Sequence, residues 1–538
     1  MKADYRVRTQ IRECLEINFL KHQSQPFAAH IAFQLAFCYQ IGFGVKSNDD
    51  TCHMWLGKSA KQPDDLRSER EVVQPARSKM GGYDEFVSVN LIHEYRTQGL
   101  KTLGQAREEC ERVIDDMAPV FGELHFILLN LYGTWGNLLD ELGELSKSKL
   151  LRMRIKKQIE ETNGMDHLYY IPSIINVARS HMKLGEWMQA QLLQEEALKS
   201  AGVTDIWAVE LIKHDLASTF LNQGRFKEAE ELFAQIVETL KGVIGQEHPD
   251  TLTSMASLAS TYRTKGRWNE AEELFVQVME TFKRVLGQEH PSALTSMAHL
   301  ASTYRDQGRW KETEGLEVQV METSLRVLGR EHPDTLASMA NLALTFWNQG
   351  RWKEAEELFV QVVETFKRVL GQKHPSTLTS MANLASTFWN QGRCKEAEEL
   401  FVQVMETRKR VLGQEHPSTL NSIANLALTF WNQGRWKEAE ELFVQVVETR
   451  KRVLGRDHPS TLTSMTNLAT TYMSQGRRTE AKGLQIEAVN QLRTTLGEDH
   501  PSTVTAIANL ASFHEERTPP APFCGANDLI ELLRDRIL

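Results

Sequence analysis

Seven histidines, His248, His290, His332, His374, His416, His458 and His500, each precede a proline and follow one another at intervals of 42 residues. Imidazoles ligate metals and carry protons, so such a column is the first place to look for chemistry. Its spacing argues against a shared centre. Equivalent positions in stacked units stand roughly 10 Å apart for each packed helix between them, whereas metal ligands must lie about 2 Å from one ion. The expected role is helix-start packing or capping. The remaining chemical vocabulary is sparse. No phosphate-binding G-x-x-x-x-G-K-[ST] loop, H-E-x-x-H pair or G-x-S-x-G elbow occurs. The cysteines Cys14, Cys38, Cys52, Cys110, Cys394 and Cys524 form no C-x-x-C pair and read as reduced thiols. No catalytic residue, metal site or cofactor is expected.

A second column suits binding better. Counting back nine residues from a glycine that recurs in the same register gives Asn176, Asp215, Ser257, His299, Asn341, Asn383, Asn425 and Asn467, and Asn509 continues it. An amide offers both a donor and an acceptor, matching the unpaired N–H and C=O groups of an extended peptide. Small residues flank it (Thr379, Ala382, Thr463), which leaves room for a backbone to approach. Asn348, Asn390 and Asn432 recur nearby, next to Trp347, Trp389 and Trp431. The competing reading is that the asparagines bond between neighbouring helices and fix the stack.

The elements that must carry these columns follow from the period. From Pro333, apolar Leu336, Met339, Ala340, Leu342, Ala343 and Phe346 form one helical stripe, ended by Asn348-Gln349-Gly350. Ala355, Leu358, Phe359, Val362, Phe366, Val369 and Leu370 form a second, which stops at Gly371 before Pro375 opens the next unit. No strand pattern appears. Two such helices cannot bury their stripes alone, so units must stack. The fold class expected is all-α, an α-solenoid of stacked antiparallel helix pairs.

Leu342, Ala343, Phe346, Gly350, Trp352 and Ala355 resemble the tetratricopeptide (TPR) signature. The 42-residue period, with G-x-E-H-P-S-T-L and N-L-A-x-T-F-x-x-Q-G-R, is similar to the repeats of kinesin light chains, over residues 205 to 516. The resemblance implies a right-handed superhelix with a concave groove. It also implies a peptide-backbone role for the asparagines Asn341, Asn383, Asn425, Asn467 and Asn509, and core positions for Trp268, Trp310, Trp352 and Trp436. Residues 32 to 60 (Ala32, Leu35, Ala36, Tyr39, Gly42, Gly44, Trp55) resemble a Sel-one-like repeat. The function expected is a non-enzymatic scaffold that binds extended peptide segments of other proteins in its groove. The alternatives are a recognition array acting with an NTPase or other catalytic domain in trans, and a kinesin-light-chain-like cargo adaptor. No sustained heptad segment accompanies the repeats.

The 538 residues carry a net charge of -9, with 41% hydrophobic and 25% charged residues. That balance fits a folded cytoplasmic protein and argues against nucleic acid as a partner. Neither a signal peptide nor an apolar run long enough to insert in a membrane is visible, and no small-molecule substrate is expected. The domains read as a helical segment at 1–62, a linker at 63–88 and divergent repeat-like helices at 89–204. The repeat array follows at 205–517, then a breaker and capping helix at 518–538. Acidic KEAEEL runs open the second helices and basic runs such as Lys367-Arg368 close them, complementing the helix dipole. One unit departs: Thr313, Gly315 and Glu317 replace the alanine, glutamate and phenylalanine found elsewhere. A carboxylate at the place of Phe359 should weaken packing there.

Overall fold

The structure, a computed structural model, describes residues 126–163, 169–201 and 206–514, with Met54 and scattered positions between 110 and 118. The Sel-one-like repeat, the linker and the C-terminal capping helix lie outside the described residues. The chain divides into two compact units, Met1–Leu139 and Asp140–Leu538. In the first, the described part of α1 (Phe126–Glu141) buries Leu128, Leu131 and Leu138.

The second unit is built of helices alone among the described residues. They are α2 (Leu145–Asn163), α3 (Tyr170–Lys183), α4 (Trp187–Ser200), α5 (Ile206–Asn222), α6 (Phe226–Ile244) and α7 (Pro249–Thr264). Then come α8 (Trp268–Leu286), α9 (Pro291–Asp306), α10 (Trp310–Leu328), α11 (Pro333–Asn348), α12 (Trp352–Val369) and α13 (Pro375–Asn390). The series ends with α14 (Cys394–Leu412), α15 (Pro417–Asn432), α16 (Trp436–Val453), α17 (Pro459–Ser474), α18 (Arg478–Leu496) and α19 (Pro501–His514). Each helix packs on the next, so the stack is one continuous solenoid.

The punctuation works as chemistry dictates. Every first helix from α7 to α17 begins with proline at N1, where a missing N–H costs nothing. The preceding histidine is the N-cap, its Nδ1 accepting the N–H two residues on, as from Ser376 to His374 at 3.1 Å. The expected capping role of the histidine column is thereby met. At the other end Gly350 takes φ +75°, closed to most side chains, and turns the chain into α12.

A polar ladder then fixes one unit on the next. Arg393 Nη1 donates to Glu356 Oε1 at 2.7 Å, its Nε reaches Glu396 at 2.8 Å, and its guanidinium lies 4.0 Å over the Phe388 ring. Gln391 completes it, donating to Glu356 Oε2 at 2.8 Å. The same set recurs around Arg309, Arg351, Arg435 and Arg477. At the far end of the second helices Arg284, Arg326, Arg368 and Arg452 meet Glu247, Glu289, Glu331 and Glu415 of the preceding unit. Acid and base therefore neutralise each other between units, beyond any service to the helix dipole.

Two expectations about packing need correction. Trp352 and Trp436 are not in the core: at the first turn of the second helix they are 38% and 41% exposed. The helix stripe faces inward only from Ala355 and Ala439 onward, three residues later. Glu317, the carboxylate in place of phenylalanine, is 3% exposed yet not alone. Arg305 Nη1 donates to its Oε1 at 3.3 Å and Thr345 Oγ1 to its Oε2 at 2.5 Å. Arg305 stands in the column of Trp347, Trp389 and Trp431, which the preceding unit also fills with arginine (Arg263) beside an ordinary Phe275, so the carboxylate is the new member of the pair. The cost shows in the core: a continuous apolar cluster runs from Leu336 to Ala506 and separate ones cover Ala217 to Leu300, while α10 fully buries Val320 alone of its apolar residues, with Leu316 and Met321 packed half-buried.

The solenoid also closes on itself. His416 Nε2 donates to the Lys183 carbonyl at 3.0 Å, His458 Nε2 to that of Asn222 at 3.0 Å and His500 Nε2 to that of Thr264 at 3.2 Å. Because Nδ1 already accepts a backbone N–H, the ring proton must be on Nε2, the tautomer that can reach across. Beside each imidazole the proline ring lies on the glycine turn of the earlier unit: Pro375 on Gly143, Pro417 on Gly185, Pro459 on Gly224 and Pro501 on Gly266. One superhelical turn therefore docks on the previous one along a seam of His-Pro against glycine.

Candidate functional site

Successive first helices touch one another, as α11 and α13 or α17 and α19 do, so they line the tighter, inner side of the coil. The asparagine column lies on them. Asn341, Asn383, Asn425, Asn467 and Asn509 are 7%, 2%, 9%, 2% and 4% exposed, so the column is deep. Residues 377–387 of α13 and 418–429 of α15 are buried throughout, including their polar members.

Much of that polarity is absorbed locally. Thr387, Thr429 and Thr471 donate to the main-chain carbonyls of Asn383, Asn425 and Asn467, each at 2.9 Å. The side-chain amide of Asn383 is different: neither its Nδ2 nor its Oδ1 has a hydrogen-bond partner. The Nδ2 of Asn509 is also unpartnered. Leaving such groups dry costs about 1–3 kcal/mol each, so an intact amide there is retained against stability.

The column's earlier members have turned to stacking duty. Arg179 Nε donates to Asp215 at 2.7 Å, His214 Nε2 meets Ser257 Oγ at 3.1 Å, and the His299 ring stacks on Phe275 with centroids 5.3 Å apart. The flanking set is also mostly bonded or packed within the stack. Asn348 Nδ2 donates to the Leu344 carbonyl at 2.8 Å and Asn390 Nδ2 to that of Ser386 at 2.9 Å, within their own helices. Trp347, Trp389 and Trp431 pack half-buried against the main cluster, and Trp431 Nε1 donates to Ser474 at 3.0 Å. Asn432 lies exposed at the end of α15.

Two further residues near the column carry a signal the apolar pattern obscured. Arg408 and Arg450 stand where Phe366 stands in α12, yet are 2% and 1% exposed. Arg408 donates to Ser422 Oγ at 2.8 Å, the Ser418 carbonyl at 3.1 Å and Thr379 Oγ1 at 3.0 Å. Arg450 does likewise to Ser464 and the Ser460 carbonyl at 2.6 and 2.7 Å, and bonds Asn421 Oδ1. The break in the phenylalanine column was the available clue. A guanidinium tolerates this depth because its fork meets several oxygens at once. Among the described residues no group of three metal-ligating side chains converges, and no helix is long and apolar enough to cross a membrane.

Two family models, each described as tetratricopeptide repeat, match the chain, one at residues 209–284, 258–316, 292–366 and 336–410, the other at 419–460 and 461–502. The chain is a tetratricopeptide-repeat protein. Among solved structures, this TPR solenoid is similar to nearly identical TPR-like repeats of kinesin light chain type from Podosopora anserina. Identity is 36%, over 37% of this chain and 93% of that one, with a TM-score of 0.32. BtubC from P. vanneervenii is 19% identical over 43% of this chain and 92% of its own, with a TM-score of 0.35. A Rap protein complexed with Competence and Sporulation Factor is 12% identical over 74% of this chain and 98% of its own, with a TM-score of 0.44. No curated protein matches.

Proposed function

We propose that this TPR solenoid is a non-catalytic interaction scaffold whose inner asparagine column binds extended peptide segments of other proteins. The observation that carries the reading is the Asn383 amide, 2% exposed with both polar atoms unpartnered, second in a column of five asparagines one unit apart. A peptide main chain supplies a C=O and an N–H at each residue, the pair that amide lacks.

The test separates binding from folding. A tiled peptide array is probed with the full-length chain and with its Asn383→Ala, Asn425→Ala double variant. Peptide capture is expected to fall at least tenfold, while helicity is unchanged and Tm holds or rises, since alanine removes the unpartnered amide. Capture that survives in the double variant would remove the asparagines from the binding surface.

A further inference from the structure

The seam uses only part of the surfaces that could make it. Its donors are His416-Pro417, His458-Pro459 and His500-Pro501, with Pro375 beginning the row. Three more His-Pro pairs of the same kind stand earlier in the column. His248 and His332 have side chains 39% and 40% exposed, and Pro249 and Pro291 are exposed. Among the described residues the Nε2 atoms of His248, His290 and His332 meet no acceptor. The receiving side is in the same condition. Gly143 and Gly185 are buried under prolines, whereas Gly350, Gly392, Gly434 and Gly476 are exposed, and a Cβ on any of them would meet nothing within 4 Å.

The free surfaces are copies of the docked ones. The tetrapeptide Asn222-Gln223-Gly224-Arg225, which receives His458 and Pro459, recurs as Asn348 to Arg351, Asn390 to Arg393 and Asn432 to Arg435. The docked His458-Pro459-Ser460 recurs as His290-Pro291-Ser292. Among the described residues, donors lie on the face that the early units leave open and acceptors on the face that the late units leave open. Within one chain the two cannot meet, because the seam always joins a unit to one a full turn earlier.

We propose that a second copy of this chain docks there, so that the coil continues head to tail. The His248, His290 and His332 pairs of one copy sit on the glycine turns of the late units of the other. Such a contact is heterologous and does not close, so it generates short filaments rather than a symmetric dimer. Three copied contacts make a small interface, and the association is therefore weak and concentration-dependent.

Sedimentation velocity of the full chain tests this with two blocked variants. His248→Ser, His290→Ser, His332→Ser keeps the helix caps, since serine caps as well, but removes the reaching Nε2. Gly350→Asn, Gly392→Asn, Gly434→Asn keeps a residue tolerant of positive φ but adds a Cβ. In the docked copies that Cβ would stand 2.8 Å from Pro459 Cδ at Gly224 and 2.9 Å from Pro375 Cδ at Gly143. The wild type is expected to show concentration-dependent association up to about 0.3 mM, in the weak range for a small interface. Each variant alone is expected to stay monomeric with unchanged helicity, and an equimolar mixture of the two to form a one-to-one dimer that grows no further. A wild type that is monomeric throughout, or a histidine variant that associates as the wild type does, would overturn the proposal. If the glycine variant does not fold, the histidine variant decides alone.

Discussion

The Nε2 of His458 donates a 3.0 Å hydrogen bond to the main-chain carbonyl of Asn222, 236 residues earlier in the chain. Its other nitrogen accepts the Ser460 N–H at 3.1 Å, so one neutral ring both starts a helix and fastens two turns of the coil.

Serine at the three docked positions should separate those roles. In the His416→Ser, His458→Ser, His500→Ser variant the caps persist but the cross-turn bonds do not. Each bond contributes about 1 kcal/mol, so the loss is roughly 3 kcal/mol if they add. Small-angle scattering should show a longer particle at unchanged helical content. A particle of wild-type dimensions would mean that the seam contributes nothing to the shape.

The same rings predict acid sensitivity. Burial lowers the His416 and His458 pKa to about 4, opposed by the hydrogen bonds to the Lys183 and Asn222 carbonyls and helped by Arg408 beside the first and Arg450 beside the second. Burial likewise takes the His299 pKa to about 3. These folded-state values lie below the unfolded value of about 6.5, so the unfolded chain takes up protons first as pH falls. Stability is full above that value, erodes as pH falls towards 4 and then levels off for His416 and His458. Urea midpoints measured from pH 7.5 to 4.5 should fall steeply below 6.5, and less steeply in the triple serine variant. Equal slopes would place the titration elsewhere.

Arg305 and Glu317 form a buried pair whose removal should be asymmetric. Burial pushes the Glu317 carboxyl up, and the Arg305 charge opposes that shift. Glu317→Ala or Arg305→Ala alone leaves one buried charge unmatched and should cost about 3–5 kcal/mol. Arg305→Trp with Glu317→Phe restores what other units carry and should be neutral, or stabilising by roughly 1–4 kcal/mol. Chemical denaturation of the three variants decides it, and a double variant destabilised as much as the two single variants together would count against the pairing.

Two glycines with nearly the same backbone isolate the seam contact. Gly185 has φ +72° and Gly434 φ +75°. Alanine at Gly434 meets only the backbone penalty, about 1 kcal/mol. At Gly185 the new methyl would also overlap Pro417 Cδ, so the Tm should fall further by several degrees. Equal losses would show that Pro417 does not bear on that turn.

The helices were legible because their signals are local. Pro333, the His332 cap and Gly350 lie within one unit, and α11 begins and ends where they indicate. The seam was not legible, since Lys183 and His416 are 233 residues apart and meet only through the accumulated pitch of the stack. Glu317 stood out as a misfit, but its partner Arg305 was hidden in a column that varies from unit to unit. The depth of Asn383 was equally out of reach, because it depends on how tightly the inner helices converge. The exposure of Trp352 and Trp436 was misread because a repeat signature records spacing, not which turn first faces inward.

The docked surfaces recur at the period of the repeat. If a whole unit were lost or duplicated in the coding sequence, each His-Pro pair would find an equivalent glycine turn one place along. An insertion of any other length would set prolines against helix sides. Copy number is thus free to drift in steps of 42 residues, and the architecture itself supplies the selection against every other step.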